Sequence, residues 1–211
     1  MDAAWKWVAV AIVGYLLGNF QTGVVVSRLM GNFDVRSRGS KSAGTTNVLR
    51  TMGYLPSLLT LVGDVLKGYI AAMIGLGLLG LWGARLGGLA AIIGHNWPAL
   101  FHFRGGKGIA TSLGVVLSFD PLIGLCLVIC QITVLALTHI MSVASIASAT
   151  LLTVLTVVLH FGDWPRIGFA LVVTALGLWT HRANIGRLRR KNENILDFEE
   201  IDKLSKDNRR A

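Results

Sequence analysis

Residues 55–81, LPSLLTLVGDVLKGYIAAMIGLGLLGL, run for 27 positions with only two charges, Asp64 and Lys67. A helix that crosses a bilayer needs about 20 apolar residues, so this stretch is long enough to span a membrane. Its neighbours repeat the pattern. Apolar runs lie at about Ala3–Met30, Gly83–Phe101, Ile109–Phe119, Pro121–Leu137, Val143–Phe161 and Ile167–Thr180. The sequence therefore predicts an all-α polytopic membrane protein with about seven transmembrane helices, some short or half-length, and five as the lower bound. The composition agrees: 53% of the 211 residues are hydrophobic and 15% charged, against roughly 25% charged in a soluble domain. That excludes an ordinary soluble enzyme. The chain reads as a single membrane-integral domain over 1–211, ending in a frayed polar tail from about residue 199.

The excess of basic residues, 20 Lys+Arg against 11 Asp+Glu, would suggest nucleic acid in a soluble chain. Placement argues otherwise. Arg182, Arg187, Arg189, Arg190, Lys191, Lys203, Lys206, Arg209 and Arg210 follow the last apolar run. Arg36, Arg38, Lys41 and Arg50 lie in segment 31–54, and Arg104 and Lys107 in 102–108. The positive-inside rule places these segments in the cytoplasm and, with seven crossings, the N-terminus outside. Membrane lipid and anionic substrates are the expected partners, and nucleic acid is not. The run from Trp5 to Leu29 is too long for a signal peptide and reads as one retained first helix. Gly14/Gly18 and Gly83/Gly87 are GxxxG pairs suited to close helix packing in lipid. Cys126 and Cys130, four apart in an apolar run, imply neither a disulfide nor a metal site.

Three polar segments on that face carry chemistry. Phe33–Gly53, FDVRSRGSKSAGTTNVLRTMG, combines Gly, Ser, Thr and Asn with four cations. A loop of this kind running into a helix can converge N–H groups on an anion, and arginine adds a fork that fits phosphate. Gly94–Gly108, GHNWPALFHFRGGKG, brings His95, Asn96, Arg104 and Lys107 together with Gly105, Gly106 and Gly108. It is no nucleotide P-loop: GxxxxGK[ST] needs glycine where Phe101 stands and a hydroxyl where Gly108 stands. His181–Glu193, HRANIGRLRRKNE, puts His181 and Asn184 three apart, on one face if helical. Asp64 and Lys67, also three apart, read as a structural ion pair, since charges within a membrane neutralise each other or line a wet cavity. Ser142 and Ser145 add hydroxyls after His139. No GxSxG elbow, HExxH or Cys–His constellation occurs. The H-x4-D pattern of the better-known glycerolipid acyltransferases is missing too, Leu100 standing five places after His95.

Together the motifs resemble the bacterial membrane-integral, acyl-phosphate-dependent glycerol-3-phosphate acyltransferase family. The first is similar to GSxNxGxTNVLRxxG, matched by Gly39, Ser40, Gly44, Thr46, Asn47, Val48, Leu49, Arg50 and Gly53. The second resembles GHNxPxxxxFxGGKGxAT, matched by Gly94–Asn96, Pro98, Phe103, Gly105–Gly108, Ala110 and Thr111. The third resembles HxxNIxRLxxGxE, matched by His181, Asn184, Ile185, Arg187, Leu188 and Glu193, and Asp64-x-x-Lys67-Gly68 also fits. The resemblance implies transfer of a fatty acyl group from an acyl-phosphate to the sn-1 hydroxyl of glycerol 3-phosphate, yielding lysophosphatidic acid and phosphate. The implied catalytic residues are Ser40, Arg50, Lys107, His181 and Asn184. Lys41, Thr46, Asn47, His95, Asn96, Arg104, Gly105, Gly106, Gly108 and Ser142 would bind substrate, and Asp64, Lys67 and Glu193 would be structural. No metal or other cofactor is implied. A soluble acyl-phosphate synthase is a possible partner, and the bacterial cytoplasmic membrane is the implied location. The general base stays open among a substrate phosphate oxygen, His181 and His95. A carrier or channel for a phosphorylated solute would also want glycines, broken helices and cations.

Overall fold

The computed structural model describes residues 4–207, and among these all regular structure is helical. Arg209 and Arg210 of the basic C-terminus lie outside the described residues. The chain forms two compact units, Met1–Ser118 with Asp197–Ala211, and Phe119–Leu196.

The first unit holds α1 (Ala4–Asn19), α2 (Thr22–Gly31), α3 (Thr45–Met52), α4 (Tyr54–Asn96), α5 (Ile109–Phe119) and α10 (Phe198–Asp207). The expected single first helix is instead two. The chain breaks at Phe20 and Gln21, where the Gln21 amide turns inward and donates to the carbonyls of Gly18, Asn19 and His95. The 43-residue α4 doubles back at Leu79 and Gly80, whose φ of 62° only glycine adopts easily. Its two arms are the runs 55–81 and 83–101. Gly75 and Gly83 abut across the bend, and a Cβ on Gly87 would lie 2.6 Å from the Ala71 carbonyl.

The predicted glycine pairs pack as expected. Added Cβ atoms on Gly14 and Gly18 would strike the carbonyls of Gly87 and Ala91, so α1 lies backbone to backbone on the second arm of α4. Gly68 and Gly114 let α5 approach the first arm in the same way.

Over the described residues 199–207 the tail is helical and not frayed. Asp197 caps α10 by accepting from the N–H groups of Glu199 and Glu200. Ile201 and Ser205 turn inward on one face while Glu199, Glu200, Asp202 and Lys203 stay exposed. Ser205 accepts from the Tyr54 N–H at 3.0 Å and sits where a Cβ on Gly53 would be.

The second unit holds α6 (Pro121–Thr138), α7 (Met141–Leu159), α8 (Trp164–Thr180) and α9 (Arg182–Arg189). Pro121 and Pro165 occupy first-turn positions and Asp120 and Asp163 cap the helices. Polar pairs replace hydrophobic driving force between helices: Ser148 with Gln131, Thr153 with Thr174, and His160 with Asp120 at 2.8 Å. Cys126 and Cys130 are free thiols on α6.

Four helical stretches, Ala4–Gly31, Tyr54–Phe101, Pro121–Thr138 and Met141–Leu159, are long and apolar enough to cross a membrane, with α5 and α8 as shorter apolar helices. Leu58, Val62 and Leu66 on α4, and Leu122, Leu125, Ile129 and Ile132 on α6, are exposed. Bare aliphatic faces of this extent belong in lipid.

Candidate active site

The first motif forms the loop 32–44 and the start of α3. Asn47, 1% exposed, organises it: its Oδ1 accepts from the Ser40 N–H at 2.8 Å, and its Nδ2 donates to the carbonyls of Val35, Arg38 and Ser42. The Asn47 amide is thus committed to the loop's own backbone, which it bends so that Ser40 and Lys41 stand exposed at the tip. Lys41 itself adopts φ of 59°. Thr46 and Arg50 are half-buried on α3, whose Val48 and Met52 form a core cluster with Val24, Val35 and Ala43.

The second motif is stitched to the first. The Ala43 N–H donates to the Gly105 carbonyl at 3.3 Å. Arg36 donates to the carbonyls of Phe101 and Arg104 at 3.0 and 3.1 Å while paired with Asp34 at 2.8 Å. That hydrogen bond from Arg36 holds the Asp34 carboxyl down at about 2. Between the loops lies an open cavity of about 510 Å³ lined by Asp34, Arg36, Ser37, Lys41, Phe101, His102 and Arg104.

Gly105, Gly106 and Gly108 are required by close approach. A Cβ on Gly105 would overlap the His95 carbonyl, and one on Gly106 the His95 Nε2. Gly108 has φ of 82° and faces Asn96, whose Oδ1 would lie 2.6 Å from its Cβ. Asn96 is 5% exposed, yet among the described residues neither its amide nitrogen nor its oxygen has a hydrogen-bond partner. A buried amide with both ends unsatisfied signals a polar ligand or ordered water. Lys107 is half-buried and Arg104 exposed on the same loop.

Beneath that loop lies a buried polar cluster. Lys67 Nζ contacts Asp64 Oδ1 at 2.8 Å, the Phe20 carbonyl at 2.7 Å and His95 Nδ1 at 2.7 Å. Thr22 donates to Asp64, and the Gly106 N–H donates to the His95 carbonyl. The expected Asp64–Lys67 ion pair is present, with His95 as its third member.

In the second unit, His181 caps α8 and Nδ1 lies 2.8 Å from the Gly177 carbonyl. A carbonyl only accepts, so Nδ1 carries a proton, and in the neutral ring Nε2 is the acceptor. Asn184 and Arg187 on α9 both donate to Glu193, at 2.9 and 3.0 Å. Ser142, on the first turn of α7, is buried, and its hydroxyl has no hydrogen-bond partner among the described residues.

Sequence reading missed the bridging role of Arg36 and the Asn19–Gln21–Thr22 cluster, in which Gln21 holds the His95 carbonyl, Thr22 the Asp64 carboxylate and Asn19 the Leu100 N–H. Three polar residues interrupting an apolar run were the available signal for that cluster.

An all-helical membrane protein with two glycine-containing cationic loops, hydrogen-bonded to each other, is the class these features define. Residues 8–191 match the family model described as glycerol-3-phosphate acyltransferase. Glycerol-3-phosphate acyltransferases of Thermoanaerobacter sp. (strain X514) and Clostridioides difficile (strain 630) are similar to the chain. They share 40% identity over 189 residues, covering 90% of this chain and 95% of the relative, and 38% over 190 residues, covering 87% and 92%. The crystal structure of PlsY (YgiH), an integral membrane glycerol 3-phosphate acyltransferase, superposes in its glycerol 3-phosphate form with a TM-score of 0.86. That match has 33% identity and covers 92% of this chain and 98% of the other. The lysophosphatidic acid form gives 0.84 at 31% identity. The chain belongs to the glycerol-3-phosphate acyltransferase family.

Proposed function

We propose that this protein transfers a fatty acyl group from an acyl-phosphate to the sn-1 hydroxyl of glycerol 3-phosphate, the first step of phospholipid biosynthesis. The hydroxyl oxygen bonds to the acyl carbon, the carbon–oxygen bond to phosphate breaks, and lysophosphatidic acid and inorganic phosphate leave. No acyl-enzyme forms, because an acyl-phosphate already carries a good leaving group. The acyl chain stays in lipid while the head groups react at the cytoplasmic face of a bacterial inner membrane. In this reading the chain crosses about seven times, with its C-terminus inside, and a soluble acyl-phosphate synthase supplies the donor.

The observation that carries the reading is the joined pair of loops, Ala43 to Gly105, beside the unsatisfied Asn96 amide. Two phosphates must approach each other, and their repulsion calls for several cations and N–H donors in one place. Lys107, Arg50 and Ser40 are assigned to the phosphates, with Lys41, Arg104 and the backbone of Gly105–Gly108 in support. Asn47 and Arg36 shape the loops. His181, with Nε2 as acceptor, takes the hydroxyl proton, and Asn184 is held ready by Glu193. These two are assigned through the third sequence motif.

The test is purified protein with acyl-phosphate and labelled glycerol 3-phosphate, without acyl-CoA, ATP or added metal. Labelled lysophosphatidic acid is expected. Its absence, or a stable acyl group trapped on Ser40, would overturn the reading.

A further inference from the structure

Lys67 and His95 do more than neutralise a buried carboxylate. An ammonium has three protons and no acceptor, and Lys67 directs them at three atoms within 2.8 Å: Asp64 Oδ1, the Phe20 carbonyl and His95 Nδ1. The Phe20 carbonyl is available because the N-terminal run breaks there instead of continuing as helix. Asp64 is 1% exposed, so Lys67 must stay charged to balance it. His95 Nδ1 can then only accept. A proton on that nitrogen would face the ammonium across 2.7 Å, so the ring is neutral and its single proton sits on Nε2.

Nε2 lies directly under Gly106, where a Cβ would overlap it. The His95 main chain is tied to the same loop, its carbonyl accepting from Gly106 N–H and from Gln21. The ring therefore has one position, one tautomer and one direction.

We infer that Lys67 is a positioning residue of the phosphate site: it locks His95 as the Nε2–H tautomer, so that His95 presents a donor beneath the Gly105–Gly108 cradle. His95 is consequently a substrate-orienting donor and not the general base. The inference rests on the proposed acyl transfer for the identity of the anion, and on geometry alone for the tautomer.

Two measurements test it separately. In protein labelled with ¹⁵N-histidine, the His95 signal, assigned by its loss in His95→Gln, is expected to show an unprotonated Nδ1 and a protonated Nε2. Glycerol 3-phosphate or inorganic phosphate should shift Nε2–H. Lys67→Met should convert the signal to a mixture of tautomers. A protonated Nδ1 in the wild type overturns the inference, whatever the activity.

The kinetic arm uses substitutions that keep one nitrogen each. Gln places its amide nitrogen near the Nε2 position and Asn near Nδ1. His95→Asn and Lys67→Met should raise KM for glycerol 3-phosphate about ten- to a hundredfold, the range of a lost hydrogen bond to a charged group, and His95→Gln, which keeps a donor near Nε2, should raise it distinctly less. The acidic limb of the kcat profile should persist in His95→Gln. Equal defects in the Gln and Asn variants, or loss of that limb, would overturn the assignment. If wild-type protein transfers no acyl group at all, the proposed function fails while the spectrum still decides the tautomer.

Discussion

His95 and His181 are equally buried, each at 3% exposure, and each stands at the end of an apolar helix. Their rings are nevertheless wired in opposite senses. In the first unit a lysine donates to His95 Nδ1, which leaves the proton on Nε2. In the second a backbone carbonyl accepts from His181 Nδ1, which leaves Nε2 as the acceptor. In the proposed reaction one imidazole gives a hydrogen bond and the other takes a proton, although both sit in motifs that look alike on paper as a polar residue after an apolar run. The partner one helical turn or one helix away decides the chemistry, and burial alone does not.

The contrast can be broken most severely at the groups that meet charge. Lys107→Ala and Arg50→Ala should each lower kcat/KM by about a hundredfold or more, mainly through anion binding, and unchanged kinetics for both substrates would remove them from the site. His181→Ala should lower kcat by about 10²–10⁴-fold, as expected for a lost general base, with KM for glycerol 3-phosphate little altered. Near-full turnover would pass the proton to a substrate phosphate oxygen.

Gly106→Ala comes next, because its methyl group meets His95 Nε2. It should raise KM about tenfold or more, and it should add nothing to the defect of His95→Ala, which already removes the ring that the methyl group meets. Glu193→Gln weakens three hydrogen bonds at once, one from Asn184 and two from Arg187. A loss of a few-fold in kcat is expected, with a melting temperature lower by a few degrees, consistent with about 1–2 kcal/mol.

The smallest effect is acid-dependent. Asp34 is held at about 2 by its bond to Arg36, below the ordinary carboxylate value near 3.9. Its contribution to holding the two loops together is complete above about pH 4 and fades as the pH falls toward 2. Between pH 5 and 8 the wild type and Asp34→Asn should therefore show parallel stability profiles, with the variant uniformly a little lower. A wild-type transition near pH 5–6 that Asp34→Asn abolishes would refute this.

Much of the molecule was legible before its coordinates. The seven apolar runs were visible because length and apolarity are local properties, and the three motifs because cations and glycines cluster along the chain. The Asp64–Lys67 pair was readable from its spacing of three. The link from Lys67 to His95 was not, since 28 residues and a reversal at Leu79–Gly80 separate them. Arg36 was hidden for a similar reason: its partners, the carbonyls of Phe101 and Arg104, are backbone atoms on another loop and leave no trace in residue type. The break after Asn19 and the helix α10 were within reach. The one was signalled by polar residues inside an apolar run, the other by Phe198, Ile201 and Ser205 spaced three and four apart.

Helix α10 follows the 8–191 span shared with the family model, yet its Ser205 closes on Tyr54, 151 residues earlier. A ribosome makes the Gly53 corner at the end of α3 long before Ser205, which clasps it. The first unit therefore gains this contact only after α4 to α9 have been synthesised, and its assembly carries the slow loop-closure step of a distant contact. Chains released early, or extended at the C-terminus so that α10 cannot seat, would reach the membrane with the Gly53 corner unclasped, and quality-control proteases should find them there.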